Sequence, residues 1–209
     1  SSAASDVYKR QAQRHAIIRK MPAVETLGST TVICSDKTGT LTQNQMTVLH
    51  VFAAYQDFSL TGTGYAPSGE LLFNNQTMAL NTASDQSVIE QENGALSETL
   101  KAGLICNDSR IFQQESLWKI EGDPTEAALI SSAFKAGFDL EILNRTLPRI
   151  DTLPFESQHQ YMATLHQRNN TNPVQEDSAI IYVKGSVESV LKRCTQAMGT
   201  NGELIELNI

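Results

Sequence analysis

The stretch V-I-C-S-D-K-T-G-T-L-T, residues 32–42, sets the reading of the whole chain. It continues an apolar, β-branched run (Thr30, Thr31, Val32, Ile33) and turns polar at Asp36, Lys37, Thr38, Gly39 and Thr40. That pattern predicts a buried strand delivering a polar loop at its carboxyl end, where open α/β sheets bind ligands. A carboxylate held there beside a lysine, two hydroxyls and a glycine has what a phosphoryl acceptor needs: a nucleophile, a positive charge and donors for phosphate oxygens. A D-x-x-G by itself is also an ordinary turn, so the spacing of Asp36 and Gly39 leaves both readings open.

The eleven residues taken together resemble the phosphorylation signature of the P-type ion-motive ATPases. The resemblance implies that Asp36 takes the γ-phosphoryl group of ATP as an aspartyl-phosphate, with Lys37 and Thr38 holding the phosphate. It also implies Mg2+ bound by the Asp36 carboxylate and the Thr38 main-chain carbonyl. Phosphatases of the haloacid-dehalogenase type look similar around the nucleophile but carry a second Asp two residues later, as general acid and base; here that position is Thr38. A hydroxyl is a poor proton shuttle near neutral pH, so a phospho-enzyme at Asp36 is expected to persist long enough to drive a conformational change.

The composition fits this reading and excludes others. Sixteen basic residues against twenty-three acidic ones give a net charge of −7, which argues against nucleic acid as a partner. With 209 residues and 40% hydrophobic content, one or two domains can bury a core. Cys34, Cys106 and Cys194 are widely spaced with no C-x-x-C, as expected for buried thiols in a reducing compartment and not for a metal site. No run approaches the roughly eighteen apolar residues of a transmembrane helix. The expectation is a soluble, cytosolic part of a protein that the resemblance makes an integral membrane pump.

Before the signature, residues 1–9 are small and polar and are expected to be an unstructured leader. Residues 11–20 can form a basic helix, and R-x-x-A-I-I-R-K-x-P-x-V-E-T-L-G looks like the segment that enters the phosphorylation domain in the family. After the signature, residues 43–51 and 52–60 alternate like strands; the family uses the first of these as a hinge into its nucleotide domain. Residues 61–65, T-G-T-G-Y, read as a turn before a short strand, since no strand-then-helix context makes them a phosphate loop. Residues 74–94 read as a loop with a possible helix, residues 96–106 as a helix ending in the turn N-D-S, and residues 118–120 as a short strand.

E-G-D-P-T-E-A-A-L, residues 121–129, is the second motif. Gly122 makes a tight turn, Asp123 is an N-cap, Pro124 is the first helical residue, and Glu126 completes a capping box. That account needs no ligand. The string also resembles the family's G-D-P-T-E motif, which implies that Thr125 and Glu126 border the adenosine pocket and that Glu126 accepts from the adenine amino group. Helices are expected over residues 126–137 and 140–147. Strands are expected over 150–155, 161–166 and 179–184, with a polar loop over 167–177. A helix over 186–194 and a strand from 203 complete the reading.

Two further constellations lie in these strands. L-P-F-E-S with Tyr161 and Met162 is the third; Y-V-K-G-S-V-E, residues 182–188, is the fourth. Lys184 ends an apolar strand before Gly185, which predicts an ammonium at a pocket mouth or an ordinary strand-ending lysine. The match to the family's V-K-G-x-x-E implies that Lys184 and Gly185 lie at the base of the adenine pocket and that Phe155 stacks on the adenine ring. His159 and Gln160 stand where many relatives carry basic residues, which leaves Gln160 as a possible phosphate contact. Losing a charged donor to phosphate forfeits about 1.5–3 kcal/mol, so modest ATP affinity is expected.

Strands before and after a helix pair suggest an antiparallel sheet with helices packed on it. The fold class is therefore α/β: an α+β nucleotide-binding domain preceded by a short piece of a dehalogenase-like phosphorylation domain. The expected division is residues 1–9 leader, 10–42 phosphorylation domain, 43–52 hinge and 53–209 nucleotide-binding domain. The implied function is ATP-driven cation transport, with ATP, Mg2+, a membrane and a transported cation, possibly Ca2+, as partners of the intact protein. The family's later catalytic segments, T-G-D and G-D-G-x-N-D, are not in the sequence. The alternatives are a non-catalytic nucleotide-binding module and a dehalogenase-type phosphatase.

Overall fold

Alternating apolar and polar residues over positions 50–60 form the first hairpin of the computed structural model, which describes residues 28–78, 93–168 and 178–207 together with Lys9 and Gln13. In β1 (His50–Ala53) Val51 and Ala53 point inward, and in β2 (Gln56–Leu60) Phe58 and Leu60 do so. The two residues between them, Ala54 and Tyr55, both have positive φ (48° and 62°). That is the mirror-image turn whose twist matches a hairpin. β3 (Leu71–Phe73) and β4 (Gln76–Thr77) extend the antiparallel meander in the order β1-β2-β3-β4, joined by a second positive-φ pair, Asn74 and Asn75.

The chain then enters α1 (Gly94–Ile105), started by Asn93, whose side chain accepts from the Leu96 N–H. Leu96, Leu100, Leu104 and Ile105 lie on its buried face, and the helix packs against β1 and against the elements that follow. A two-stranded hairpin, β5 (Arg110–Gln114) and β6 (Leu117–Glu121), leads to α2 (Pro124–Lys135) and α3 (Leu140–Thr146). Gly103 lets α1 and α2 approach: a Cβ built on it would sit 3.4 Å from the Leu129 Cβ. A three-stranded antiparallel sheet follows, in the order β7 (Arg149–Glu156), β8 (Tyr161–Arg168), β9 (Ser178–Gly185). A short helix, α4 (Val187–Leu191), and the hairpin β10 (Gln196–Met198) with β11 (Leu204–Glu206) complete the described elements. One core joins Phe58 and Leu71 of the first sheet, the apolar face of α1, Ile130 and Ala133 of α2, Leu143 of α3, and Met162 and Tyr182 of the second sheet.

The chain divides into two compact units, Ser1–Gln43 and Asn44–Ile209. In the first, the expected buried strand over residues 30–33 is not formed: these residues carry no strand pairing, and Val32 and Ile33 are 72% and 84% exposed. A strand needs a neighbouring strand for its N–H and C=O groups, and among the described residues no sheet ladder includes 30–33. The D-K-T-G-T loop itself is one irregular wide turn, Lys37–Leu41, broken by non-helical torsions at Thr38 and by Gly39 at φ 71°.

Other expectations needed adjusting. Residues 44–49 belong to no strand: Asn44 bends at φ 52°, and although the Leu49 carbonyl accepts from the Leu60 N–H at 2.8 Å, the ladder begins at His50 and not at 43. Strand β5 is not among the strands that the local pattern predicts. Its partner turn, Glu115 and Ser116, adopts positive φ without the Asn or Gly that normally announces such a turn. The helix expected over 186–194 is only the five residues of α4. Cys34 is exposed while Cys106 is buried, so the thiols are not uniformly core residues. The leader, the basic helix over 11–20 and most of the loops expected over 74–94 and 167–177 lie outside the described residues.

Candidate functional site

The G-D-P-T-E segment enters α2 as its residue types dictate. Gly122 takes φ 109°, and a Cβ there would lie 2.3 Å from the Ser109 Oγ, so this position excludes any side chain. The Asp123 carboxylate accepts from the Thr125 and Glu126 N–H groups at 2.8 and 3.1 Å, two of the donors that a helix start leaves unpaired. These hydrogen bonds, chiefly the one from the Glu126 N–H, hold the Asp123 carboxyl below its ordinary range.

The expected capping box closes differently. Glu126 does not reach back to the Asp123 N–H; that group donates to the Ser109 Oγ at 2.8 Å, and Ser109 in turn donates to Glu126 Oε2 at 2.8 Å. A buried serine on another segment has taken the return arm of the box. Glu126 is thereby turned toward β9, where its Oε1 accepts from the Lys184 ammonium at 2.7 Å. The side chains of Lys184 and Glu126 are 19% and 18% exposed. Burial pushes the Glu126 carboxyl up, but the hydrogen bonds from Lys184 and Ser109, the Lys184 charge and the Asp108 N–H outweigh it and hold the pKa down.

Lys184 is therefore half-buried against a carboxylate and not stretched over a flat surface. Its neighbour Gly185 pairs with Tyr161, and a Cβ on Gly185 would come within 2.3 Å of the Gln160 carbonyl oxygen. Gln160 sits in the β7–β8 turn at φ 57° and accepts from the Ser186 hydroxyl at 3.3 Å. Phe155 lies in the irregular stretch of β7 between Leu153 and Glu156, beside Pro154, which has no N–H for the ladder. Its ring is 57% exposed. Thr125 is exposed at the first turn of α2.

The motifs thus meet in part: Glu126 and Lys184 touch, Gly185 at the end of β9 packs against Gln160 in the β7–β8 turn, and Thr125 is next to Glu126 in sequence. No described contact joins Phe155 to the others. A groove of about 400 Å3 between β1, α1, β9 and β10 includes Tyr182 and Glu98 but none of the candidate site residues.

In the first unit, Asp36, Lys37 and Thr38 are exposed, and the Thr38 N–H donates to Asp36 Oδ1 at 3.3 Å. The torsions of Thr38 (φ −77°, ψ 122°) break the turn at that residue. The carboxylate and the Thr38 carbonyl are the hard oxygen donors that Mg2+ accepts, so the residue types at this loop suit that ion.

Residues 95–208 match the family model described as P-type ATPase, cytoplasmic domain N. The chain belongs to this P-type ATPase family. A cation-transporting ATPase, pma1, of Synechocystis sp. is 46% identical over 199 residues, covering 95% of this chain and 21% of that protein. The calcium-transporting ATPase of Bacillus subtilis is 34% identical over 188 residues, 90% of this chain and 19% of that protein. The calcium-transporting ATPase type 2C member 1 of Bos taurus is 38% identical over 190 residues, 89% of this chain and 18% of that protein. The chain spans about a fifth of the length of these P-type ATPases. The mixed α/β architecture, with antiparallel sheets and packed helices, agrees with a nucleotide-binding domain of this family. Among the described residues no helix is long and apolar enough to cross a membrane.

Sequence reading missed the residues that hold Glu126 in place. Local pattern marks Asn107, Asp108 and Ser109 only as a turn closing α1, and gives no signal for Arg149. The signal available was the pairing of a hydroxyl and an amide with a turn, which marks side chains that bond to backbone.

Proposed function

We propose that this chain is the nucleotide-binding and phosphoryl-accepting part of a cation-transporting P-type ATPase, an integral membrane pump in its whole form. Adenine stacks on Phe155, and its exocyclic amine donates to Glu126. Lys184 and Gly185 form the base of the pocket, Thr125 its border, and Gln160 lies toward the phosphates. Residues 43–52 act as the hinge between a phosphorylation domain ending at 42 and a nucleotide domain starting at 53.

In the transfer step an Asp36 carboxylate oxygen attacks the γ-phosphorus in line. The bond to the β–γ bridging oxygen breaks, ADP departs with that electron pair, and an aspartyl-phosphate remains. Lys37 and the Thr38 hydroxyl stabilise the charge on the transferred group, since phosphoryl transfer is mainly positioning and charge neutralisation. The Asp36 carboxylate and the Thr38 carbonyl would hold Mg2+, which neutralises phosphoryl-oxygen charge when bound. Ca2+ is the proposed cargo, on the printed names of the Bacillus and bovine relatives.

The observation that carries the reading is the 2.7 Å contact between Lys184 and Glu126, which unites two nucleotide-domain motifs 58 residues apart. In the whole protein, γ-labelled ATP with Mg2+ should leave an acid-stable, hydroxylamine-labile label that Asp36→Asn abolishes. The chain by itself should bind ATP without turnover. Steady phosphate release from it would favour a soluble phosphatase, and ATP binding with no label in the whole protein would favour a non-catalytic nucleotide module.

A further inference from the structure

Glu126 has four oxygen lone-pair directions to satisfy, and its two oxygens are treated differently. Oε2 is saturated from one side by the Ser109 hydroxyl at 2.8 Å and the Asp108 N–H at 3.2 Å. Oε1 accepts from Lys184, its one hydrogen-bond donor among the described residues. Both donors to Oε2 come from the turn after α1, and that turn is fixed from several directions. The Asn107 amide donates to the Gly103 and Glu126 carbonyls at 3.1 and 2.9 Å, and its oxygen accepts from the Ser109 N–H at 2.9 Å. Arg149 pairs with Asp108 at 2.7 Å and donates to the Ile105 carbonyl at 2.6 Å and to the Asn107 carbonyl.

Ser109 is the joint of this arrangement. It is buried, takes the Asp123 N–H on its oxygen and donates its one proton to Glu126. Its alternative acceptor, the Asp123 carbonyl, is farther away at 3.4 Å. The proton is therefore committed to Oε2, and the carboxylate cannot rotate freely about its last bond without breaking that hydrogen bond.

We infer that Ser109 is a positioning residue for base selection: by clamping Oε2 it leaves Oε1 as the single acceptor presented to the nucleotide, so the site favours a base that offers an amino group. This rests on the proposed role of Glu126 as the adenine acceptor. A base with a carbonyl in place of that amine meets a fixed carboxylate oxygen that cannot turn away, and two acceptors face each other. Without the clamp, the carboxylate swings to relieve the clash and discrimination falls. A hydrogen-bonding site of this kind rejects the wrong group because buried polar atoms are left unpaired.

The test compares the dissociation constants of ATP and inosine triphosphate, which differ in replacing the 6-amino group by a carbonyl, using the full chain. The wild-type chain should prefer ATP at least tenfold, and Glu126→Gln should erase the preference. Ser109→Ala should cut the ATP preference fivefold or more, with inosine triphosphate binding tightening as the clash is relieved, and Ser109→Thr should restore it. A merely structural serine would weaken both nucleotides together. Should Ser109→Ala fail to fold, Ser109→Cys, of similar size with a weaker donor, must move the ratio in the same direction. An unchanged ratio in the folded Ser109 variants, with Glu126→Gln still effective, overturns the role of Ser109 alone. No wild-type preference, or an ineffective Glu126→Gln, overturns the adenine contact as well.

Discussion

The ammonium of Lys184, at the end of β9, lies 2.7 Å from Oε1 of Glu126 in the first turn of α2. An ion pair this enclosed is not a simple stabiliser, because desolvating both partners offsets much of their attraction. Its clearer effect is geometric, since it ties the second β-sheet to the start of α2. Removing one partner leaves the other half-buried and unpaired.

Lys184→Met should therefore lower stability by about 1.5–3 kcal/mol, the range for a hydrogen bond to a charged group. Glu126→Gln in the same background should recover part of the loss. Urea midpoints of the two single variants and the double variant measure the coupling; strictly additive losses would contradict the contact.

Phe155→Ala separates binding from folding. The ring is more than half exposed, so the urea midpoint should barely move, while loss of base stacking should weaken ATP binding by about 1–3 kcal/mol. A large fall in stability with unaltered affinity would place the ring in packing and not at the nucleotide.

Gly185→Ala tests why glycine follows the lysine. The added methyl would meet backbone atoms, the Gln160 carbonyl oxygen at 2.3 Å and Tyr161 Cα at 2.7 Å. Strand β9 must shift, and the strain should cost about 1–3 kcal/mol. Thermal unfolding of the free chain, with no nucleotide present, reads this directly.

Acid should destabilise the fold in two stages. Burial, opposed by the bond to the Leu147 carbonyl and aided by the Arg149 charge, lowers the pKa of His166 below its ordinary 6.5. Its Nδ1–H donates to that carbonyl at 2.8 Å, and Nε2 accepts from the Thr164 hydroxyl at 2.9 Å. The unfolded chain then binds the proton first, so stability is complete above about pH 6.5 and falls as pH drops through that value. His166→Leu should flatten the slope between about pH 7.5 and 5.5 in chemical denaturation.

The second stage belongs to Glu126 and Asp123, both held below their ordinary values of 4.5 and 3.8. A depressed carboxyl stabilises above its unfolded pKa, and that contribution is lost as pH falls through the folded value. Asp123→Ala should remove its share and also cost about 1 kcal/mol at neutral pH through loss of the N-cap. The neutral-pH loss is visible in urea unfolding.

Much of this was already legible in the order of residues. The cap at Asp123, the two long strands β8 and β9, and helices α1 to α3 follow from local patterns that need no distant partner: an N-cap oxygen two or three residues before the N–H it binds, or alternation along one strand. The family was equally legible, because the D-K-T-G-T and G-D-P-T-E strings are contiguous. Local signals failed where a neighbour decides the outcome. Residues 30–33 have the composition of a strand but join no ladder among the described residues, and β5 forms because β6 is there, despite a turn of Glu115 and Ser116 that carries no usual hairpin signal.

What only the tertiary structure decided is which oxygen of Glu126 faces which donor. The sequence placed a glutamate three residues after an N-cap, and by itself that predicts a box closed on Asp123. Ser109 and Lys184 reached the same carboxylate from segments 17 and 58 residues away and claimed it. A half-buried charge settles on whichever donors the packing brings within hydrogen-bond range, and packing is a property of the folded chain that no local spacing records.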